Sequence, residues 1–185
     1  MLQNATGTPI TVSGSGGVQT VLLPVTRVQQ AVSNWCWAAC GEMIGRYLGL
    51  EGTAQCTLAN NYLEGTANCV DACKDQANCN YPCLYTDIET VYSKVGIACC
   101  LVQGPLDFSV LNDEIVNNKR PVLAMLTFGA GFNHFLLVAG CNSSGSVYAM
   151  DSRPGYGDSW MTYATLRSAH GYGAWTLSWS KVGKR

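Results

Sequence analysis

Residues 33–48 read SNWCWAACGEMIGRYL. Apolar residues recur every four positions along this stretch, which places them on one face of a helix: Ala39, Met43 and Tyr47. Ser33 or Asn34 is a candidate N-cap, and Gly49 is a candidate stop. The stretch therefore predicts a helix with Cys36 in its first turn, where unpaired backbone N–H groups and the positive end of the helix dipole stabilise a thiolate.

The rest of the chain places helices before strands. Further helices are predicted over 87–95, with Thr86 as the cap, and over 108–118, with Asp107 as the cap. Short apolar or aromatic runs separated by Gly, Asn and Ser then indicate strands joined by hairpins. These runs are Pro121–Phe128, His134–Ala139, Ser146–Asp151, Ser159–Leu166 and Ala174–Lys181. The order predicts an α+β fold with an antiparallel sheet, since no alternating βαβ pattern occurs.

The length of 185 residues and an apolar content of 48% fit a single domain. Residues 1–24 are rich in Thr, Gly and Ser, which predicts a flexible lead-in or an edge strand. Residues 25–185 are predicted to form one domain. Its first part, 25–120, is expected to be helical and cysteine-rich, and its second part, 121–185, to be the β part.

Charge and hydropathy exclude two classes of partner. The net charge is −1 and only 12% of the residues are charged, so no basic surface is expected to bind nucleic acid. No apolar run approaches the roughly 18 residues that a membrane span needs. We therefore expect neither a nucleic acid nor a membrane as partner.

Ten cysteines are more than a reduced cytosolic enzyme usually contains, so the sequence predicts an oxidising, extracellular compartment. Half of them lie within 56–83, which predicts a loop region held by disulfides. If Cys36 is a free thiolate, one further cysteine is unpaired, and buried Cys40 is the candidate. The other eight are then expected to form four disulfides. A zinc site is the alternative for four of them: Cys69, Cys73, Cys79 and Cys83.

A cysteine nucleophile needs a base, and the chain has two histidines. His134 begins an apolar strand, whereas His170 lies in a predicted turn. His134 is the better candidate, because a strand holds a catalytic base more rigidly than a turn does. Asp151 ends the next strand, so a hairpin at 142–145 would bring it beside His134. Its carboxylate is predicted to accept the Nδ1–H of the ring and fix the tautomer.

These residues carry a family resemblance. Gln30, six residues before Cys36-Trp37-Ala38, resembles the papain-like pattern, and the later Asn133-His134 and DSRPGYG turn at 151–157 resemble its His strand and Asn turn. More narrowly, three segments are similar to the AvrRpt2-type bacterial peptidases, family C70 of clan CA. They are Gln29-Gln30, NWCWAAC at 34–40, and Gln55-Cys56-x-Leu58-Ala59.

The resemblance implies a papain-like fold in which the central helix carries the cysteine and an antiparallel sheet forms a half-barrel. It implies a cysteine peptidase that needs no cofactor, with Cys36 as nucleophile, His134 as general base and acid, and Asp151 as the residue that orients the histidine. Gln30 would bind the oxyanion together with the backbone N–H of Cys36. We expect a monomer that acts on a peptide or protein, secreted or delivered into a host cell.

The sequence departs from papain at Arg153, where papain-type enzymes keep a tryptophan. Other readings also remain open at this stage. Cys36 could be half of a disulfide, and His134 could be a core histidine. The same residues also serve amidases, deamidases and acyl transferases, since all of these form a thioester. A disulfide-held binding or toxin module without activity is a further alternative.

Overall fold

The structure is a computed structural model that describes residues 10–13, 18–66, 68–129 and 131–185. The α-helices in these ranges are α1 (Cys36–Tyr47), α2 (Gln55–Leu63), α3 (Ile88–Ser93), α4 (Phe108–Asn112) and α5 (Tyr163–Arg167). The strands are β1 (Ile10–Ser13), β2 (Gln19–Leu22), β3 (Ile97–Gln103), β4 (Val122–Phe128), β5 (Asn133–Asn142), β6 (Ser146–Asp151), β7 (Gly157–Thr162) and β8 (Gly173–Lys184). Residues 1–9 and 14–17 of the predicted lead-in lie outside the described residues.

One antiparallel sheet organises the molecule, with strand order β1-β2-β5-β4-β8-β3. Strand β5 is central, since Leu137 pairs with Leu123 of β4 on one side and with Met150 of β6 on the other. Strand β2 pairs with the last residues of β5, from Gly140 to Asn142. Strand β7 pairs with β6. The hairpin between β5 and β6 places the start of β5 beside the end of β6.

The sheet buries apolar side chains on both faces. Successive residues of β4 alternate between two cores, with Leu123 and Met125 on the side of α1 to α3, and Val122 and Ala124 on the side of α4 and α5. This alternation follows from the two-residue repeat of a strand. Both faces are covered, which explains why β5 is apolar and buried from Phe135 to Cys141.

Helix α1 is buried along most of its length, from Cys36 to Gly45. Close packing requires a glycine at position 45, because a Cβ there would lie 2.3 Å from the Thr53 side chain. The buried helix packs against β5, so Cys36 at its first turn is held next to the start of that strand.

The structure confirms the predicted α+β, papain-like class, including the helix that starts at Cys36 and the antiparallel sheet. The predicted N-cap at Ser33 or Asn34 is wrong. Trp35 precedes the helix without a side-chain cap, and the Asn34 side chain instead donates to the Asn80 carbonyl.

Three local predictions differ from the structure. Strand β3 lies inside the part predicted as helical, because its apolar residues pair with β8 at an edge of the sheet. Helix α2 lies inside the predicted disulfide-held loop. The predicted strand Ser159–Leu166 is part strand and part helix, since the Thr162 hydroxyl accepts the Thr165 N–H and starts α5.

None of the helices in the described ranges has the length and hydropathy needed to cross a lipid bilayer.

Candidate active site

His134 and Asp151 face each other where β5 begins and β6 ends. His134 Nε2 lies 2.9 Å from Asp151 Oδ1, and the two residues are 1% and 9% exposed. The pairing of these two residues agrees with the sequence-based expectation, but the predicted atom is wrong. The carboxylate faces Nε2 and not Nδ1, because the other side of the ring faces Cys36. One ring nitrogen is thus available to each partner.

Cys36 lies at the first position of α1, buried, and its side chain neighbours that of His134. Burial lowers the pKa of His134, but the hydrogen bond to Asp151 and the charges of Asp151 and the neighbouring Cys36 outweigh burial and raise that pKa. The imidazolium form is therefore stabilised between a sulfur and a carboxylate. The structure brings these three predicted residues together in a buried row.

Asp151 also pairs with Arg153, an interaction that the sequence reasoning missed. The arginine donates from Nε to Oδ2 at 3.0 Å and from Nη2 to the same oxygen at 2.6 Å, and its backbone N–H donates to Oδ1 at 2.9 Å. Burial raises the pKa of Asp151, but the hydrogen bonds from His134 and Arg153 hold it well below its usual range. The sequence signal that could have indicated this pair is the spacing of two residues between an acid and an arginine in a turn.

Gln30 lies next to this turn, and the structure anchors it on both sides. Its backbone N–H donates to the Ser152 carbonyl at 2.8 Å, and its Oε1 accepts the Ser152 hydroxyl at 3.0 Å. Its Nε2 donates to the carbonyls of Ser33, at 2.7 Å, and Val32, at 3.1 Å. The side chain is buried, and its amide donors are directed at its own loop.

A second buried amide, Gln55, holds the loop that carries Gln30. Gln55 Oε1 accepts the Ala31 N–H at 2.9 Å, and its Nε2 donates to the Gln29 carbonyl at 3.0 Å and to Glu42 Oε2 at 3.1 Å. Glu42 lies on α1 and is also paired with Arg46. The sequence analysis included Gln55 in the family resemblance and gave it no role.

A cavity of about 260 Å³ opens beside Cys36. None of the residues that line it in the described ranges is charged, and they include Pro82, Met125 and Phe135. The Phe132 ring, half exposed, stacks nearly parallel to the His134 ring at a centroid distance of 6.5 Å. The cavity gives a bound molecule access to the sulfur from an apolar side.

The numbers of disulfide-bonded and free cysteines differ from the prediction. Two disulfides form, Cys56–Cys73 and Cys69–Cys79, and the other six cysteines are free. The expected four disulfides are therefore wrong. The zinc alternative is also contradicted, since three of its four ligands are in disulfides. The described residues hold no other group of three potential metal ligands.

Among the free thiols, Cys36 has the histidine partner. Cys40 is fully buried, and burial, with the nearby Cys36 and Asp151, raises the pKa of its thiol well above the ordinary value. Cys83 lines the same cavity as Cys36, but burial and the charges of Asp87 and Cys36 raise the pKa of its thiol. The other histidine, His170, lies exposed in a turn, as expected.

Comparisons with solved structures show proteins of similar fold. The peptidase domain of Streptococcus ComA, a bifunctional ABC transporter involved in quorum sensing, is 13% identical, with a TM-score of 0.60 over 85% of this chain and 97% of that chain. A protein from Bacillus anthracis described as a C39-like peptidase is 11% identical, with a TM-score of 0.55 over 96% of this chain and 100% of that chain. At such identities the likeness shows the fold.

None of the curated proteins matches the chain in sequence. A family model gives the more specific result, because the model of the Peptidase_C39 like family matches residues 22–184. The match spans the helix with Cys36 and the strands with His134 and Asp151. The chain therefore belongs to the Peptidase_C39 like family and is a cysteine peptidase.

Proposed function

We propose that this chain hydrolyses peptide bonds in a peptide or protein by way of an acyl-enzyme on Cys36. The observation that carries the proposal is the buried row of Cys36, His134 and Asp151, in which the His134 ring neighbours the thiol and is hydrogen-bonded to the carboxylate. A thiolate nucleophile, a histidine that holds a proton and a carboxylate that orients the ring are the parts that acyl transfer to sulfur requires. This chemistry needs no cofactor.

The reaction has two halves. The Cys36 thiolate attacks the carbonyl carbon, and His134 gives its Nδ1 proton to the leaving amine as the C–N bond breaks. His134 then takes a proton from water, whose oxygen attacks the thioester, and the carboxylic acid leaves as the thiolate re-forms. Asp151 accepts the Nε2–H throughout, so the same ring nitrogen serves both proton transfers.

The oxyanion of each tetrahedral intermediate needs donors close to Cys36. The backbone N–H of Cys36 is one, because the first residue of a helix has no intrahelical acceptor for its N–H. Gln30 is the second in our proposal, with one Nε2–H turning from the carbonyl of Ser33 or Val32 to the substrate oxygen. The Ser152 hydroxyl donates to the Oε1 of that amide, which keeps the amide next to the turn after β6.

The uncharged cavity beside Cys36 supports an apolar segment of polypeptide as the group that binds there. The two disulfides are typical of proteins in an oxidising compartment, so we propose that the protein is secreted. Delivery into a host cell, a monomeric state and the narrower resemblance to the AvrRpt2-type family stay predictions.

Cleavage of a peptide library, read by mass spectrometry, tests the proposal. We expect the wild-type protein to cut peptides and Cys36→Ala to lose about a thousandfold or more of that activity, because no other group forms the thioester. Cys83→Ala is the matched control, since this thiol lines the same cavity and has no role in the mechanism.

The masses of the products separate the outcomes. A gain of water across a peptide bond supports hydrolysis. Conversion of glutamine to glutamate without a cut would identify a deamidase, and adducts with an added amine would identify a transferase. Equal loss of activity in Cys83→Ala and Cys36→Ala would refute the assignment of the nucleophile.

A further inference from the structure

Asp151 shares its negative charge between two cations in this structure. Its Oδ1 contacts His134 Nε2 at 2.9 Å and Arg153 Nε at 3.2 Å, and its Oδ2 contacts the Arg153 guanidinium. The His134 and Asp151 side chains are 1% and 12% exposed, and the Arg153 side chain is 24% exposed. Water therefore screens the interaction of these charges only weakly.

Arg153 is itself fixed, so its charge does not move away. Its guanidinium carbon lies 3.7 Å from the centre of the Tyr156 ring. Its backbone carbonyl accepts Arg27 Nη2 at 2.9 Å, and the Asp151 carbonyl accepts Arg27 Nε at 2.6 Å. Two arginines and an aromatic ring thus hold the turn that follows β6 in one conformation.

The groups around His134 can be named element by element. Helix α1 supplies the thiols of Cys36 and Cys40, β6 supplies Asp151, and the turn after it supplies Arg153. Arg27, on the segment before α1, contacts the backbone of Asp151. Arg153 is the cation that directly contacts the carboxylate bound to the ring.

We propose that Arg153 is a positioning residue that weakens the electrostatic stabilisation of the His134 imidazolium by Asp151 and so sets the alkaline end of the working pH range. A carboxylate that is partly neutralised by an arginine stabilises an imidazolium less than a lone carboxylate does. The ring consequently releases its proton at a lower pH than it would without the arginine. This proposal rests on the proposed function, in which His134 must hold a proton before the leaving amine departs.

Direct titration of the histidine tests the proposal without any substrate. The chain has two histidines, so ring C–H signals in NMR spectra are assigned with the single variant His170→Gln. We expect Arg153→Gln to raise the pKa of His134 by about half a unit or more. Arg153→Lys keeps the charge and should leave the pKa near that of the wild type.

The control is Arg167→Gln, which removes one positive charge from another arginine that lies over a tyrosine ring, exposed on α5. It should leave the pKa of His134 unchanged. The alkaline limb of kcat/KM for peptide cleavage should move to higher pH in Arg153→Gln by the same amount as the titration, and stay in place in Arg153→Lys.

The outcomes decide whether Arg153 acts on His134 through its charge or only holds Asp151 in place. A fall in the pKa of His134 in Arg153→Gln would show that the arginine only holds the carboxylate in place, and would overturn the proposal. An unchanged pKa, or equal shifts in the Gln and Lys variants, would overturn it as well. A raised pKa in a protein that cuts no peptide would support the role of Arg153 and refute the proposed peptidase reaction.

Discussion

Asp151 is the residue on which the electrostatics of the candidate site depend. It accepts hydrogen bonds from the His134 ring and from both the backbone and the side chain of Arg153. These bonds are stronger with the ionised carboxylate, so the folded protein holds the pKa of Asp151 well below its usual range although burial opposes this. A pKa that differs between the folded and unfolded states makes stability depend on pH.

Acid should destabilise the fold through Asp151. Because the pKa of this carboxyl is depressed in the folded protein, its contribution to stability is present above the unfolded pKa of about 4 and is lost as the pH falls towards the folded pKa. We expect the free energy of unfolding in urea to fall between pH 6 and pH 3 by more in the wild type than in Asp151→Asn.

Glu51→Gln is the control for this comparison, because Glu51 is an exposed carboxylate. Its pH dependence between pH 6 and pH 3 should match that of the wild type. If Asp151→Asn kept the full acid dependence of the wild type, the charge of Asp151 would not be the cause.

The residues of the site differ in how far the sequence could predict them. Cys36, His134 and Asp151 follow from a helix start, a strand start and a strand end, which are readable from periodicity. The ring nitrogen that faces the carboxylate, and the pairing with Arg153, depend on side-chain directions within a turn. Those directions are set by contacts such as the one from Arg27, far away in the sequence.

At the scale of elements, α2 has a function in the site beyond packing. Its first residue, Gln55, satisfies an N–H and a carbonyl of the loop at 29–31 and joins that loop to Glu42 on α1. Buried backbone groups without partners are costly, so the amide fixes the loop. Gln30 lies in the middle of this loop, which ties its position to α2.

Replacement of Gln55 by leucine should therefore impair catalysis through Gln30. We expect kcat/KM for peptide cleavage to fall about 10- to 100-fold, mostly in kcat, because the oxyanion donor proposed at Gln30 would act in the transition state. Alkylation of Cys36 by iodoacetamide forms no oxyanion, so its rate should stay within about twofold of the wild type. Stopped-flow cleavage and alkylation assays measure the two quantities.

Asn61→Leu, near the other end of α2, provides the matched control and should change neither rate. An equal loss of alkylation in Gln55→Leu would mean that α1 itself is disturbed. Unchanged cleavage would refute the link between Gln55 and Gln30.

Elements with strong periodicity were predictable, and elements stabilised mainly by tertiary contacts were not. Helix α1 and strands β5 and β6 follow from apolar patterns that match their final environment. Helix α2 reads QCTLANNYL, which is largely polar, and it is stabilised by Leu58 and Ala59 buried in the core that also contains α1. Strand β3 contains Cys99 and Cys100, which suggested disulfides, yet both stay free, and Cys100 pairs with Ser180 of β8 next to a shift in the strand register.

At the scale of the whole molecule, the cysteine-rich segment connects to the start of α1. The carbonyl of Cys79 accepts the Trp35 indole N–H at 2.9 Å, and Asn80 Oδ1 accepts the Asn34 N–H at 2.8 Å. The segment that follows Cys79 thus holds the residues just before Cys36. The Cys69–Cys79 disulfide fixes this segment, whereas Cys56–Cys73 joins α2 to a part of the loop more distant from those contacts.

Removal of either disulfide should destabilise the fold, but only one removal should impair the site. The two bridges span 10 and 17 residues, so each is expected to contribute about 2–3 kcal/mol to the free energy of unfolding. The double variant Cys69→Ser/Cys79→Ser should also lose about tenfold in kcat/KM and in the alkylation rate of Cys36, because Trp35 and Asn34 lose a fixed partner.

The double variant Cys56→Ser/Cys73→Ser is the natural comparison, since it loses a similar stabilisation and keeps the contacts to Trp35 and Asn34. Its kcat/KM should stay within about twofold of the wild type when both variants are assayed below their unfolding temperatures, checked by circular dichroism. Equal losses of activity in the two variants would show that the cysteine-rich segment acts only through global stability. A loss confined to Cys69→Ser/Cys79→Ser would identify this segment as the support that fixes the helix start carrying Cys36.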